Sequence, residues 1–359
     1  MQECQRLARE VPQTSLYWPS ARILEAAAAR EQARRAAAAA HDADDADDAA
    51  GTAPQATVVD AWRRVTVATD AARNALDTIA TNDPRFAAVR DAELQLGAWA
   101  AEALAGMGEV DAALRALEVL RAAIPPTATA ELVERTRLET LYAAGRANEA
   151  ATSLRSFIDR APAAAAQTVA SMLRSSEAEI RALRDASRDD DARRLAVDRM
   201  LPLAEGILPL VRGPAPPPAP QIDTETRLSI EWLTASALLE SGRCAEALAT
   251  VGPVLAASPD TLEYLSAKAQ ALVCLGSDAQ LAEAMGILKR ISSGRRKALD
   301  RWFWQSETMM LEILLRVRRN TGDIAPRVAQ LRLLDPQLGG ERWRRRLEAA
   351  AIAATARTR

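Results

Sequence analysis

Histidine is almost absent from this 359-residue chain, and its scarcity narrows the chemistry that the protein can perform. The one histidine is His41, which argues against a histidine-rich metal site, a Ser-His-Asp or Cys-His catalytic group and an H-E-x-x-H helix. The chain also lacks the glycine-rich nucleotide-binding motifs and the G-x-S-x-G motif of hydrolases. We therefore expect a protein that is not an enzyme and that holds neither a cofactor nor a metal.

Cysteine is nearly as scarce, and its spacing is uninformative. Cys4, Cys244 and Cys274 lie far apart, are odd in number and include no C-x-x-C pair. They cannot supply a complete disulfide framework and do not resemble a metal site. We expect all three to be small, buried apolar side chains.

Large rings and long apolar runs are also rare. Hydrophobic residues make up 49% of the chain but aromatic residues only 4%, so alanine and leucine must build the core. Strong helix formers dominate and no alternating β-branched run occurs, which predicts an all-α protein. No uncharged apolar run reaches the length of a membrane span, and the N-terminus lacks the apolar core of a secretion signal. These features predict a cytoplasmic protein by default, or an exported one if the chain is a fragment of a longer precursor.

Four glycines recur in similar surroundings, at Gly108, Gly145, Gly242 and Gly276. The first three open G-E-V-D-A-A-L, G-R-A-N-E-A-A and G-R-C-A-E-A-L. Each of these three units has an alanine five residues after its glycine and a proline seventeen residues after it, namely Ala113, Ala150 and Ala247, and Pro125, Pro162 and Pro259. Glycine allows a tight turn, alanine lets two helices cross closely, and proline ends the second helix.

Two further units depart from this pattern. In the unit at Gly276 the corresponding alanine is Ala284, which comes three residues late because of the insertion S-D-A-Q. A weaker unit is expected at Gly322, with Arg318 where the pattern has leucine. The recurrence nevertheless predicts a series of helix-turn-helix units.

These residues resemble the tetratricopeptide repeat (TPR) family. The resemblance implies an all-α, right-handed superhelical solenoid of antiparallel helix hairpins, with about seven hairpins and a C-terminal capping helix. In that family, ligand peptides lie against the first helix of each hairpin. Carried onto this chain, the resemblance implies that partner-binding residues are Arg135, Glu139, Tyr142, Trp232, Ser236 and Gln270. The lysines and asparagines of the family's carboxylate clamp are missing at these positions, so that way of binding an acidic C-terminus is not implied.

Composition suggests how the chain is organised. The proline-rich segment 213–222 is expected to be an extended linker. It would separate an N-terminal array, 1–212, from a C-terminal array, 223–359. The N-terminal array is interrupted by an acidic insert at 41–56, which lacks the frame of an EF-hand loop and is expected to be solvated.

Charge is unevenly distributed along the chain. Residues 290–359 hold 16 Lys and Arg against 7 Asp and Glu, although the whole chain has a net charge of −2. The candidate basic patch consists of Arg295, Arg296, Lys297, Arg318, Arg319, Arg344, Arg345 and Arg346. If these side chains share a face, they could bind phosphates, with the neighbouring W-F-W sequence (302–304) stacking on bases.

Three functional hypotheses follow. The leading one is a non-catalytic scaffold that binds a peptide or protein partner in the concave groove of a solenoid. The second is a solenoid that binds nucleic acid or another acidic partner through its basic end. The third is a purely structural or oligomerising array. Residues 3–11 resemble half a hairpin, so the face bearing Cys4 and Leu7 is predicted to self-associate or to meet an upstream segment.

Overall fold

Helices account for all the regular secondary structure in the part of the chain that is described. A computed structural model describes residues 2–44, 53–79, 86–123, 128–213 and 222–358, and no strand occurs in these ranges. The predicted all-α class is therefore confirmed for them. Within these ranges, no helix is long and apolar enough to cross a membrane.

Contacts between Cα atoms divide the chain into two compact units, 1–165 and 166–359, which we call unit 1 and unit 2. The helices of unit 1 are α1 (Gln2–Glu10), α2 (Trp18–Asp44), α3 (Ala53–Leu76), α4 (Phe86–Gly106), α5 (Val110–Ala123), α6 (Ala128–Ala143) and α7 (Ala147–Arg160). Helix α8 (Pro162–Asp185) begins in unit 1 and lies mostly in unit 2. The boundary predicted at 213–222 stays a prediction, because residues 214–221 lie outside the described ranges.

Unit 2 continues with helices of similar length. They are α9 (Asp189–Arg194), a π-helical stretch (Leu195–Met200), α10 (Leu201–Arg212), α11 (Thr224–Glu240), α12 (Cys244–Ala257), α13 (Leu262–Leu275), α14 (Asp278–Arg295), α15 (Arg301–Val317), a 3₁₀ turn (Thr321–Asp323), α16 (Ile324–Leu334) and α17 (Glu341–Thr358). The predicted acidic insert, 41–56, is shortened at both ends by α2 and α3, and its residues 45–52 lie outside the described ranges.

Within each unit, most helices that follow each other in the chain pack together, and so do several alternate helices. In unit 1, α2, α4 and α6 pack in series, while α3 and α5 fill the spaces between them. In unit 2, α11, α13, α15 and α17 form the corresponding series. One face of each unit is thus built from the first helices of successive hairpins.

The hairpin turns share one hydrogen-bonding pattern, the Schellman motif. At Gly145, whose φ is +72°, the amide of Arg146 donates to the carbonyl oxygen of Leu141 at 2.9 Å. The same bond recurs at the turns of Gly108, Ser187 and Gly242. In each, the amide of the residue after the turn residue donates to the carbonyl oxygen of the leucine four residues before the turn residue. The leucine of the repeat therefore accepts the bond that closes its own helix.

The turn at Gly276 is different, and the inserted residues explain why. The amide of Gly276 donates to Leu272 at 3.0 Å, which is the simpler left-handed cap. Ser277 then begins a new helix, because its hydroxyl accepts from the amide of Gln280 while the Gln280 side chain accepts from the amide of Ser277. The insertion thus supplies a capping box and moves the packing alanine to Ala284.

The last turn lies earlier than the sequence suggested. Helix α15 ends at Val317, and the left-handed residues are Arg318 and Asn320 rather than Gly322. Gly322 lies inside the short 3₁₀ turn instead. A glycine was expected at the turn, but here arginine and asparagine adopt the left-handed conformation at some cost in backbone strain.

Alanine makes the helix crossings and a few rings fill the larger spaces. Ala113, Ala150, Ala247 and Ala284 are all fully buried. Two residues of the W-F-W sequence, Phe303 and Trp304, lie in the core that α15, α16 and α17 share. The apolar stripe of α17 is buried as well, at Trp343, Leu347, Ala350 and Ala354.

Candidate interaction groove

A groove lies on the face of unit 2 that α11, α13 and α15 build, and α8 and α17 close its sides. It contains a cavity of about 400 Å³. A second cavity of about 540 Å³ continues from it and shares Arg184, Leu239, Gln270, Gln305 and Arg342 with the first. We call the two cavities together the unit 2 groove.

Three of the six residues predicted from the family resemblance line this groove together. Trp232, Ser236 and Gln270 are half-buried and lie on α11 and α13. The Ser236 hydroxyl donates to Glu177 Oε2 at 3.2 Å, and the Gln270 amide nitrogen donates to Ser266 Oγ at 3.2 Å. These bonds hold two polar side chains in place at the groove surface.

Tryptophan supplies the apolar part of the groove. Trp232 packs on the small core between α11, α12 and α13, and Trp302 lines the same cavity from the start of α15. The Arg301 guanidinium lies 4.1 Å from the centre of the Trp302 ring, and the Arg342 guanidinium lies 4.5 Å from that of Trp343. Each cation therefore stacks on a ring beside the cavity.

Four arginines line the first cavity, and no sequence pattern marked any of them as a groove residue. Arg181 and Arg184 come from α8, Arg301 from α15 and Arg342 from α17. Burial lowers the pKa of Arg184, Arg301 and Arg342, and neighbouring arginines lower it further. All stay protonated near neutral pH, because an arginine titrates far above that range.

Carboxylates balance these cations. Arg184 pairs with Glu240, Arg342 with Asp185 at 3.5 Å, and Arg346 with Glu312 at 2.8 Å. Together the two cavities are lined by six arginines and seven carboxylates. A ligand in the unit 2 groove would thus meet alternating charges rather than a field of one sign.

The other three predicted residues lie in unit 1, on α6. Glu139 faces Arg34, whose Nη2 lies 3.5 Å from its carboxylate, and it lines a cavity of about 260 Å³ beside Trp62. Burial raises the pKa of Glu139, while Arg34 and Arg135 oppose that shift. Arg135 is half-buried and Tyr142 is only 6% exposed, and neither lines this cavity. Tyr142 therefore offers a partner little surface.

The candidate basic patch is divided among several places. Arg295, Arg296 and Lys297 lie just before α15, whereas Arg318 and Arg319 follow its other end, about 25 Å away for a 17-residue helix. Arg295 pairs with Asp300, Arg344 and Arg345 pair with Glu341, and Arg346 pairs with Glu312. Of the eight residues, Arg345 and Arg346 line the unit 2 groove.

Two of the cysteines differ from the expectation of small, buried apolar side chains, and the side chain of Cys4 lies outside the described part of the chain. Cys244 and Cys274 form a disulfide, with their Cα atoms 6.0 Å apart. Cys244 is 4% exposed at the start of α12, and Cys274 is exposed near the end of α13. Thirty residues separate them in sequence, so only the packing of two neighbouring helices reveals the pair. Among the described residues, no group of histidine, cysteine or carboxylate side chains could hold a metal ion.

Known proteins give no further guide to the groove. A comparison of the chain with protein-family models finds no match, and a search of curated proteins finds none either.

Proposed function

We propose that the protein is a non-catalytic interaction scaffold, and that the unit 2 groove binds a peptide or an extended segment of a protein partner. In this proposal the hairpins of each unit are TPR-like repeats that stack as a right-handed superhelix. The observation that carries it is the meeting of Trp232, Ser236 and Gln270 in one cavity with Trp302. The recurring Schellman turns and the serial packing of first helices support the repeat architecture.

The chemistry of the groove suits a peptide of mixed character. Tryptophan and arginine dominate binding hot spots, and both line the cavity. The amides of Gln270 and Gln305 can donate to and accept from a peptide backbone. The charged side chains around the rings favour a partner whose charges complement them. Charge pairs across an interface contribute specificity more than affinity.

Nucleic acid fits these observations less well. A phosphate backbone requires a surface of one sign, and its binding weakens steeply with salt. The groove instead carries seven carboxylates against six arginines, and the predicted basic patch is dispersed, with four of its eight residues ion-paired. We therefore favour a peptide or protein partner.

The test is a selection from a random peptide library on the immobilised protein, followed by affinity measurements on the selected peptides. We expect Trp232→Ala and Trp302→Ala each to weaken binding at least about tenfold, as for tryptophans at hot spots. Leu333→Ala is the matched control, since Leu333 is an exposed apolar residue of unit 2 that lines neither cavity. Circular dichroism verifies that each variant is folded.

Two results would overturn the proposal. One is equal affinity of wild type and both tryptophan variants for every selected peptide. The other is failure to select any peptide while a labelled oligonucleotide binds with an affinity that falls steeply with salt, which would favour the nucleic-acid hypothesis instead.

A further inference from the structure

The disulfide of unit 2 joins two helices at the edge of the groove. Cys244 is the first residue of α12, and Cys274 is the penultimate residue of α13. Because α12 and α13 belong to successive hairpins, the bond links one repeat to the next. Cys274 also lines the second cavity of the groove, beside Gln270 and Val273.

The two sulfur atoms have different surroundings. Cys274 is exposed and can be reached by a small molecule, whereas Cys244 is buried. Cys244 lies at the N-terminus of a 14-residue helix, where the helix dipole favours a thiolate. The exposed cysteine is thus suited to react first, and the buried one to resolve the product.

The cavity beside Cys274 has the size to admit a small molecule and presents charges of both signs to it. Its volume is about 540 Å³, within the range of small-molecule sites. Arg184, Arg342, Arg345 and Arg346 line it together with three carboxylates. Such a mixed lining suits a small peptide thiol, which carries ammonium and carboxylate groups together.

We propose that Cys274 and Cys244 form a thiol–disulfide exchange site for a low-molecular-weight peptide disulfide of the glutathione class. In the first step the Cys274 thiolate attacks one sulfur of that disulfide, forming a mixed disulfide and releasing one small thiolate. In the second step the Cys244 thiolate attacks the Cys274 sulfur, forming the Cys244–Cys274 bond and releasing the second small thiolate. The two protons lost by the cysteines end on the two released thiols, so the small disulfide is reduced as the protein is oxidised.

Exchange at this site changes how two repeats are joined. The oxidised protein has α12 tied to α13, and the reduced protein relies on packing alone. Because α13 also carries Gln270, the disulfide lies on the wall of the groove. The exchange chemistry itself is independent of whether the groove binds a peptide.

The experiment follows the thiols in full-length protein by alkylation and mass spectrometry, with glutathione disulfide as the oxidant. The background is Cys4→Ser, which removes the third cysteine. We expect two alkylated thiols after reduction and none after oxidation, with the Cys244–Cys274 link found in the peptide map. The reaction should reverse when reduced glutathione is added in excess.

Two single variants on the same background test the order of the steps. Cys244→Ser should stop at a mixed disulfide on Cys274. Cys274→Ser should form a mixed disulfide at least about tenfold more slowly, because Cys244 is buried. Equal rates in the two variants would overturn the assigned order.

Two results would overturn the exchange site itself. The first is that the Cys4→Ser protein keeps two free thiols in glutathione disulfide. The second is a Cys244–Cys274 bond that resists excess reduced glutathione in the folded protein, which would make it a fixed structural link. Both readouts use a background that retains the native pair, so they do not depend on how the single variants fold.

Discussion

At the scale of single residues, the environment decides what each side chain does. Arg34 contacts two glutamates of the neighbouring helices, Glu102 and Glu139. Glu102 is the more buried of the two and also pairs with Arg30 at 2.6 Å. Glu139 lies 3.5 Å from the Arg34 guanidinium, and burial raises its pKa. Two similar residues on one face thus lie in different surroundings.

A pH-dependent difference between these glutamates follows. Because the folded state raises the pKa of Glu139, folding favours its protonated form, and the ionised carboxylate costs stability as pH rises. We expect Glu139→Gln to be stabilising near neutral pH by less than about 1 kcal/mol, since the side chain is partly exposed to solvent. The gain should shrink as the pH is lowered and vanish at about pH 3, well below the ordinary glutamate pKa, where the carboxylate is protonated in both states. Urea denaturation at the two pH values measures it.

Glu102→Gln is the matched control. It removes the charge that faces two arginines, so we expect a loss of about 1–3 kcal/mol near neutral pH. A loss of stability in Glu139→Gln as large as that in Glu102→Gln would contradict the assignment of Glu139.

Two glycines of unit 2 are expected to have opposite effects on stability when each is compared with alanine. Gly242 has a φ of +77° at a hairpin turn, and a Cβ there would meet no atom within 4 Å. Gly286 lies exposed inside α14, also with open space around it. The two glycines therefore differ in backbone conformation and not in the space available to a Cβ atom.

We expect Gly242→Ala to destabilise the protein by about 1–2 kcal/mol, because alanine is strained in the left-handed region. Gly286→Ala should instead stabilise it by about 0.5–1 kcal/mol, because alanine is favoured inside a helix. Chemical denaturation of both variants against wild type measures the pair. Equal effects of the same sign would contradict the turn geometry.

At the scale of helices, small side chains set the spacing between neighbours. Ala247 is fully buried on α12, whereas Ala245, two residues earlier on the same helix, is exposed. The repeat places an alanine at this crossing in successive hairpins, and the insertion at Gly276 preserves it by shifting it to Ala284. Close approach of the helices therefore depends on a side chain with a single methyl group.

Enlarging that side chain should cost stability only on the buried face. We expect Ala247→Leu to destabilise the protein by about 1–3 kcal/mol through overpacking. Ala245→Leu should change stability by no more than about 0.5 kcal/mol, because its side chain projects into solvent. Thermal melting followed by circular dichroism compares the two. An unchanged melting temperature in Ala247→Leu would mean that the crossing is not where the structure puts it.

At the scale of the whole molecule, the two units differ in how their hairpins are joined. Among the described residues, the disulfide occurs in unit 2, where it closes a segment that contains most of α12 and α13. Unit 1 is held by packing and by ion pairs such as those of Arg34. Reduction should therefore act on one unit.

We expect reduction to lower the free energy of unfolding of unit 2 by about 3–4 kcal/mol. The reason is that the disulfide closes a loop in the unfolded chain and so reduces its conformational entropy. Hydrogen exchange should show faster exchange in α12 and α13 after reduction, with α2 and α4 unchanged. The Cys244→Ser variant is the control, because it should not respond to a reducing agent. A uniform change across both units would contradict a local effect.

Several features of this protein could be read from residues that are near one another in the chain. Helix formers predicted the all-α class, and recurring glycine, alanine and proline predicted turns, crossings and helix ends. At Ala161 and Ser258 the backbone leaves the helical conformation, with φ of −148° and −143°, because Pro162 and Pro259 follow. These are local effects, since the conformation of a residue depends mainly on its neighbours in sequence. Gly322 was misread because arginine and asparagine adopted a conformation that glycine usually takes.

Only tertiary structure decided which distant residues meet. The family resemblance selected Trp232, Ser236 and Gln270 for the groove, but α8 and α17 contributed Arg181, Arg184 and Arg342, which no local pattern indicated. The same packing separated the basic patch, buried Tyr142 and brought Cys244 to Cys274. The amino-acid sequence alone thus determined the helices and their turns, because those depend on short-range sterics and hydrogen bonds. The groove, its balanced charges and the disulfide depend on contacts across tens to more than a hundred residues, which exist only once the helices have packed.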